Sequence, residues 1–197
     1  MNSATRFVWA AFALLLYATA AAVEVDGVTV PERIQIGADG PKLLLNGAGV
    51  RTRLIFKVYV AALYLRVKMN NGEEILRNDQ PRRLMLHMLR DLTSGQLTTS
   101  MNDALHETLT PEERLPLDLR MQQFNAIFEP LHEVKQGMQI AIDYVPESGT
   151  TVLVNGHEKG RIPGADFSQA LLRVWIGAHP KDPELRNALL GISPGSK

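Results

Sequence analysis

Gly47-Ala48-Gly49-Val50-Arg51, followed by Ile55-Phe56-Lys57-Val58-Tyr59-Val60-Ala61-Ala62-Leu63-Tyr64-Leu65, is the stretch whose reading decides the fold. Its second half is a long apolar run of β-branched, aromatic and small residues with no breaker, which predicts a central strand. Strand alternation puts Val58, Val60 and Ala62 on one face and Tyr59, Ala61 and Leu63 on the other. Before it, Leu43 to Leu45 predicts a short strand ending at Asn46-Gly47. The two glycines then read as a hinge, a bulge or bend between strands, that delivers Arg51 to the mouth of the buried one.

Working outward, Val23 to Ile36 predicts a hairpin turning at Asp26-Gly27, and Ala38 to Pro41 predicts a second turn. Asn71 to Arg77 predicts a short helix, and Arg82 to Arg90 a second buried strand. From Thr93 the period becomes helical, with Leu97, Met101, Leu105 and Leu109 on one stripe. Pro111 opens a further predicted helix with Met121, Phe124, Ile127 and Phe128 on its apolar face. Gln139 to Val145 and Thr150 to Val154 predict an antiparallel pair, and Glu158 to Ile162 adds a short strand after Asn155-Gly156. The chain closes on helices over Asp166 to Trp175 and Pro183 to Leu190, stopped by Gly177 and Gly191. With no repeat and no linker, residues 23–197 read as one α+β domain.

The N-terminus reads as a signal peptide over residues 1–22. Arg6 precedes an apolar segment from Phe7 to Tyr17, and Ala18 to Ala22 supplies small residues for cleavage after Ala22. The segment is short for a membrane span, which needs ~20 residues. A periplasmic address follows, with no membrane span after cleavage. The 197-residue chain has no cysteine, so disulfides, thiol catalysis and thiolate metal sites are excluded. Lys plus Arg and Asp plus Glu are both 21. Loss of Arg6 leaves the remainder at net −1 (20 cations against 21 anions). Such a balance offers no electrostatic reason to expect nucleic acid or an anionic membrane, a local basic patch aside.

Motifs for chemistry are sparse. The five histidines show no metal-ligand spacing, so no metal and no cofactor is expected. There is no GxSxG elbow, and Ser168 and Asp166 stand at a helix start, where capping is the ordinary role. Glu112 and Glu113 are adjacent and point about 100° apart on a helix, so they cannot flank one bond. Arg51, Arg53, Lys57 and Tyr59 remain. They read either as a cationic strand edge or as an anion clamp at an apolar cleft, with an arginine gripping a carboxylate or phenolate and a tyrosine hydroxyl as second donor.

The glycine–arginine stretch with Phe56 to Leu65 resembles the chalcone isomerase family in its bacterial, exported branch. The C-terminal run Phe167 to Gly177, with Pro180, Asp182-Pro183 and Leu189-Leu190-Gly191, is similar to that family's closing signature. The resemblance covers residues 24 to 191. It implies an open-faced β-sandwich, a large antiparallel sheet with helices layered on one face and a ligand cleft between. It also implies either cyclisation of a chalcone or, in noncatalytic members, fatty-acid binding through an arginine and a tyrosine.

Residue by residue, the family arginine is Arg51, with Arg53 as the other candidate, and Tyr59 stands where the enzymes have a threonine. Leu97, Ala104 and Val174 stand where the enzymes carry a tyrosine, an asparagine and a polar residue. Asn102 lies near that asparagine position but out of register. Loss of donors for a developing negative charge favours binding over catalysis. The expectation is therefore a noncatalytic protein that binds a small amphipathic acid through Arg51, Tyr59 or Arg53. An isomerase acting on an enone or phenol, and an envelope protein-interaction module, are the other two readings.

Overall fold

The computed structural model describes residues 21–192. The apolar N-terminal segment expected to be a signal peptide lies outside the described residues, apart from Ala21 and Ala22. The strands are β1 (Ala22–Val25), β2 (Val28–Pro31), β3 (Arg33–Gln35), β4 (Lys42–Arg53), β5 (Phe56–Leu65), β6 (Arg82–Met88), β7 (Leu92–Thr93), β8 (Glu133–Val134), β9 (Gln139–Val145), β10 (Gly149–Val154) and β11 (His157–Ile162). The helices are α1 (Gly72–Arg77), α2 (Ser94–Thr108), α3 (Pro111–Arg114), α4 (Asp118–Ala126), α5 (Ala165–Ile176) and α6 (Pro183–Leu189).

Seven strands form one antiparallel sheet in the order β11-β10-β9-β6-β5-β4-β3. β5 is an interior strand and alternates as predicted from Tyr59 onward; Val58, expected on the Val60 face, is instead left unpaired at a register shift and lines the helix-side cleft with Tyr59. Ala61, Leu63 and Leu65 face a helix layer in which Leu97, Met101 and Leu105 of α2 and Phe167 and Leu171 of α5 are buried. Val60, Ala62 and Tyr64 face the other way, beneath the β1–β2 hairpin and its Val30. That hairpin turns at Asp26 and Gly27, both with positive φ, which is the geometry a two-residue loop needs. The large sheet with helices on one face is the α+β open-faced sandwich anticipated from the sequence.

Three local expectations are corrected. Residues 43–45 are not a short strand ending in a glycine turn, because β4 runs unbroken through Asn46, Gly47 and Gly49 to Arg53, with a register shift between Leu45 and Gly47. The glycines are required by what lies on them. A Cβ at Gly47 would fall 2.0 Å from the carbonyl oxygen of Ala188, and one at Gly49 would fall 2.6 Å from the Ala188 Cβ. Helix α6 is thus seated on the β4 backbone itself. Asn46, buried in the shift, donates through Nδ2 to the Leu189 carbonyl (2.8 Å) and the Met69 carbonyl (2.9 Å), and accepts from the Met69 amide (2.7 Å).

The single helix expected from Pro111 is instead α3, a 3-10 turn over Leu115–Leu117, and α4. Pro116 supplies no N–H for the ladder and breaks it. Ser168 and Asp166 do not cap α5, whose N-cap is Gly164 with no side-chain bond. Ser168 is buried and accepts from Arg82 Nη2 at 2.7 Å, while both Asp166 oxygens accept from Arg120, at 2.6 and 2.7 Å. Arg82, buried on the helix side of β6, also lies over the Tyr144 ring at 4.5 Å.

Two outcomes follow from this packing. Gly47→Ala forces α6 off the strand and lowers unfolding free energy by about 3 kcal/mol. Gly27→Ala, in open space at positive φ, costs about 1 kcal/mol. Equal losses in urea titrations of the two variants would refute the seating of α6 as the reason for glycine at 47.

Burial pushes the phenols of Tyr64 and Tyr144 up to about 12. Tyrosines in an unfolded chain titrate near ~10. The two side chains therefore contribute stability that is complete below about pH 10 and is lost as pH rises toward 12. Urea midpoints should fall across that window, and less steeply in Tyr64→Phe.

Candidate functional site

The register of the β4–β5 ribbon sets Arg51 directly opposite Tyr59. Alternation gives both the same face, the one covered by helices. Between that face and helices α2, α5 and α6 lies a cavity of about 580 Å³ that opens to solvent. The volume falls in the range of small-molecule sites, roughly 300–1,000 Å³. Its walls are largely apolar, with Leu86, Leu97, Met101, Val174 and Leu185 among them. Arg51, Arg53, Arg90 and Lys181 supply cations, and Asp103 and Asp182 supply carboxylates.

Arg51 is half-buried, and its Nη1 donates to Asp182 Oδ2 at 3.0 Å. Asp182 is also the N-cap of α6, where its Oδ1 accepts from the Leu185 amide at 2.9 Å. One carboxylate therefore serves two purposes: it caps a helix and it neutralises the arginine at the inner end of the cleft. A guanidinium carries five N–H groups, so Arg51 keeps donors for a ligand beside the one given to Asp182.

Tyr59 has a different partner. Trp175 Nε1 donates to its hydroxyl oxygen at 2.9 Å. The indole nitrogen can only donate, so the bond leaves the tyrosine's own O–H proton to be given elsewhere. Burial raises the Tyr59 pKa, the Trp175 bond and the Arg51 charge oppose that rise, and Asp182 adds to it. The phenol is consequently neutral at ordinary pH and is a hydrogen-bond donor, not an anion.

The three residues picked out from the sequence thus occupy one cleft. Arg51 and Tyr59 face each other across the ribbon, while Arg53 stands two residues further along β4, exposed at the mouth. Leu97, Ala104 and Val174 also line the cavity. Asn102 is turned away and accepts from Asn125 Nδ2 at 3.2 Å. Sequence reasoning passed over Asp182 as a counter-ion, Trp175 as the donor to Tyr59, and Arg90 and Lys181 as lining cations. The Asp182-Pro183 pair signals a helix N-cap, but nothing in the linear pattern connects it to Arg51, 131 positions away. Among the described residues, no three of His, Cys, Asp and Glu are grouped to hold a metal ion.

An antiparallel sheet, helices on one of its faces, and a cleft between them that holds an arginine and a neutral tyrosine define the class: an open-faced β-sandwich. The family described as chalcone isomerase-like matches residues 22–191, and the chain belongs to that family. The resemblance seen in the sequence is borne out at both ends of the matched region. No curated protein matches the chain by sequence. Among solved structures, the chain is similar to the crystal structure of an Arabidopsis thaliana fatty-acid binding protein (AtFAP1), with a TM-score of 0.64 and 18% identity over 83% of this chain and 92% of that one. At that identity the likeness establishes the fold.

The charge arrangement predicts opposite shifts for two substitutions. Asp182→Asn keeps an N-cap and removes a negative neighbour, so the Tyr59 pKa falls. Trp175→Phe removes a bond to the phenolate oxygen, so it rises. Phenolate absorbance titrations, each differenced against Tyr59→Phe, check both directions. A shift of the same sign in both variants would contradict the assigned contacts.

Proposed function

We propose that the chain is an exported, noncatalytic binding protein for a small amphipathic acid such as a fatty acid. The acid group sits between Arg51 and Tyr59, and the chain lies along the apolar walls. The observation that carries this reading is the pairing of a cation and a neutral hydroxyl donor beside the apolar wall of Leu86, Leu97, Met101, Val174 and Leu185. A carboxylate takes charge-assisted bonds from Arg51 through the N–H groups not given to Asp182. Tyr59 adds its free proton. Each buried methylene contributes ~0.8 kcal/mol. Arg53 and Arg90 at the mouth add long-range attraction for an anion.

Support also comes from the structural neighbour, a fatty-acid binding protein. The apolar side chains Leu97, Ala104 and Val174 weigh against an isomerase, since a cyclising enzyme needs donors aimed at the oxygen where charge develops. Export rests on the N-terminal apolar segment with its small-residue end. No described helix is long and apolar enough to cross a membrane.

Titration calorimetry with saturated fatty acids tests the reading. Affinity should tighten by about tenfold for every two methylenes until the cavity is filled. Arg51→Ala should weaken binding about 10- to 100-fold, the worth of a charge-assisted bond, and Tyr59→Phe about fivefold. Arg53→Ala should have the smaller effect of a screened charge at the rim. Asp182→Asn, which frees Arg51 from its internal competitor, should tighten binding. Unchanged affinity in Arg51→Ala would remove the clamp, and turnover of chalcones above the uncatalysed rate would restore the isomerase.

A further inference from the structure

The β4–β5 ribbon ends in a two-residue loop, because Arg53 pairs with Phe56 and leaves Leu54 and Ile55 unpaired. Loops of this length favour glycine, asparagine or aspartate, whose backbones accept positive φ. Here Leu54 has φ +57, a conformation that L side chains with a Cβ disfavour. The residue beside it is β-branched. Both side chains project into solvent, with Leu54 89% and Ile55 84% exposed, and Phe56 follows at 52%. Folding gains nothing from this arrangement: the apolar surface stays wet and the backbone is strained. Consecutive apolar residues at a strained, protruding tip point to a contact made outside the chain.

The surroundings say what kind of contact. Arg53 precedes the tip, Lys57 follows it, and the Arg90 guanidinium lies 5.0 Å from the centre of the Phe56 ring. Lys57 is engaged by Asp26 at the turn of the β1–β2 hairpin. Arg53 and Arg90 form no ion pair with a described residue. The tip is thus an apolar point with a basic collar, the pattern that suits the headgroup boundary of an anionic bilayer: aliphatic groups enter the acyl layer and guanidiniums stay at the phosphates. It also continues into the cleft, since Arg53, Leu54 and Phe56 belong to its lining.

We propose that the β4–β5 hairpin tip is a membrane-docking finger that sets Leu54 and Ile55 into an anionic lipid bilayer and turns the mouth of the cleft toward the lipid. Attachment is peripheral and reversible, because only two apolar side chains enter. It is salt-sensitive, because the collar supplies the attraction. Docking does not depend on what the cleft holds; exchange of an amphipathic acid with the bilayer is the consequence that rests on the acid-binding reading.

The test is flotation of delipidated protein with vesicles of phosphatidylethanolamine and phosphatidylglycerol, alongside vesicles of phosphatidylcholine alone. Its N-terminus is first determined by mass spectrometry, so that wild type and variants are compared with the same start. The wild type should float with the anionic vesicles, weakly with the neutral ones, and less as salt is raised. Ile55→Glu, at a position outside the cleft lining, should lose at least about tenfold in partition, equivalent to ~1.4 kcal/mol, and keep its affinity for dodecanoate. Leu54→Gly should float less yet melt higher by about 3 °C, since glycine relieves the positive φ.

Flotation of Ile55→Glu or Leu54→Gly equal to wild type would overturn the proposal. So would a dimer in light scattering that Ile55→Glu abolishes, which would make a second copy of the chain the occupant. Failure of dodecanoate binding with flotation intact would instead remove the acid ligand and leave the docking finger standing.

Discussion

The close approach of helix α6 to the backbone of β4 is the constraint on which the cleft depends. Two glycines let the helix sit where side chains would otherwise keep layers apart. The contacts run in order. Ala188 lies over Gly47, Leu185 and Ala188 over Gly49, and Asp182 reaches Arg51. The helix therefore runs antiparallel to the strand beneath it. Seven helical residues rise about 10 Å, and four strand residues about 13 Å, so the capping aspartate arrives at the arginine once the helix end is fixed. Asn46 fixes that end by donating to the Leu189 carbonyl, one of the acceptors that a helix C-terminus leaves open.

The same seating ties the cleft to folding. Arg51, alone among apolar walls, would be a costly half-buried cation. Asp182 compensates it only while α6 is docked. The helix cap, the ion pair and the glycine seat are thus one cooperative unit. A change at Gly47 should be felt at Tyr59, about 13 Å away by strand geometry, through Asp182 and without any direct contact.

Much of this was legible in the sequence. The period-2 pattern of Tyr59 to Leu63 placed both faces of β5, failing only at Val58 where the register shifts, and the Asp26-Gly27 and Asn155-Gly156 pairs placed their hairpins. Arg51 and Tyr59 could be named because strand alternation and the family pattern agree on them. What escaped was whatever depends on contact across the fold. Gly47 and Gly49 look like flexibility in one dimension; in three they are clearance for a helix, a requirement that only the position of Ala188 reveals. Ser168 looks like a helix-start residue until Arg82 is found buried beside it. The split at Pro116 is a different kind of miss: the proline is visible in the sequence, but an expectation built on the apolar stripe through Phe124 takes no account of the missing donor.

The Arg51–Asp182 pair also bears on the kind of binding the cleft can support. A buried cation kept empty for its ligand would destabilise the unliganded protein, whereas a pair already made costs little to maintain. The consequence is competition. Under the acid-binding reading, an entering carboxylate must share Arg51 with Asp182 and tolerate its charge, so part of the charge-assisted bond energy is offset before binding begins. Specificity is kept, because only a group that engages both the guanidinium and the Tyr59 proton recovers that cost. Affinity is moderated, because the guanidinium is never wholly free. Under the acid-binding reading, such a cleft releases what it takes up. That suits a carrier which loads and unloads better than a site that sequesters. The neutral Tyr59 points the same way, since a donor that keeps its proton steadies an anion without transferring anything to it.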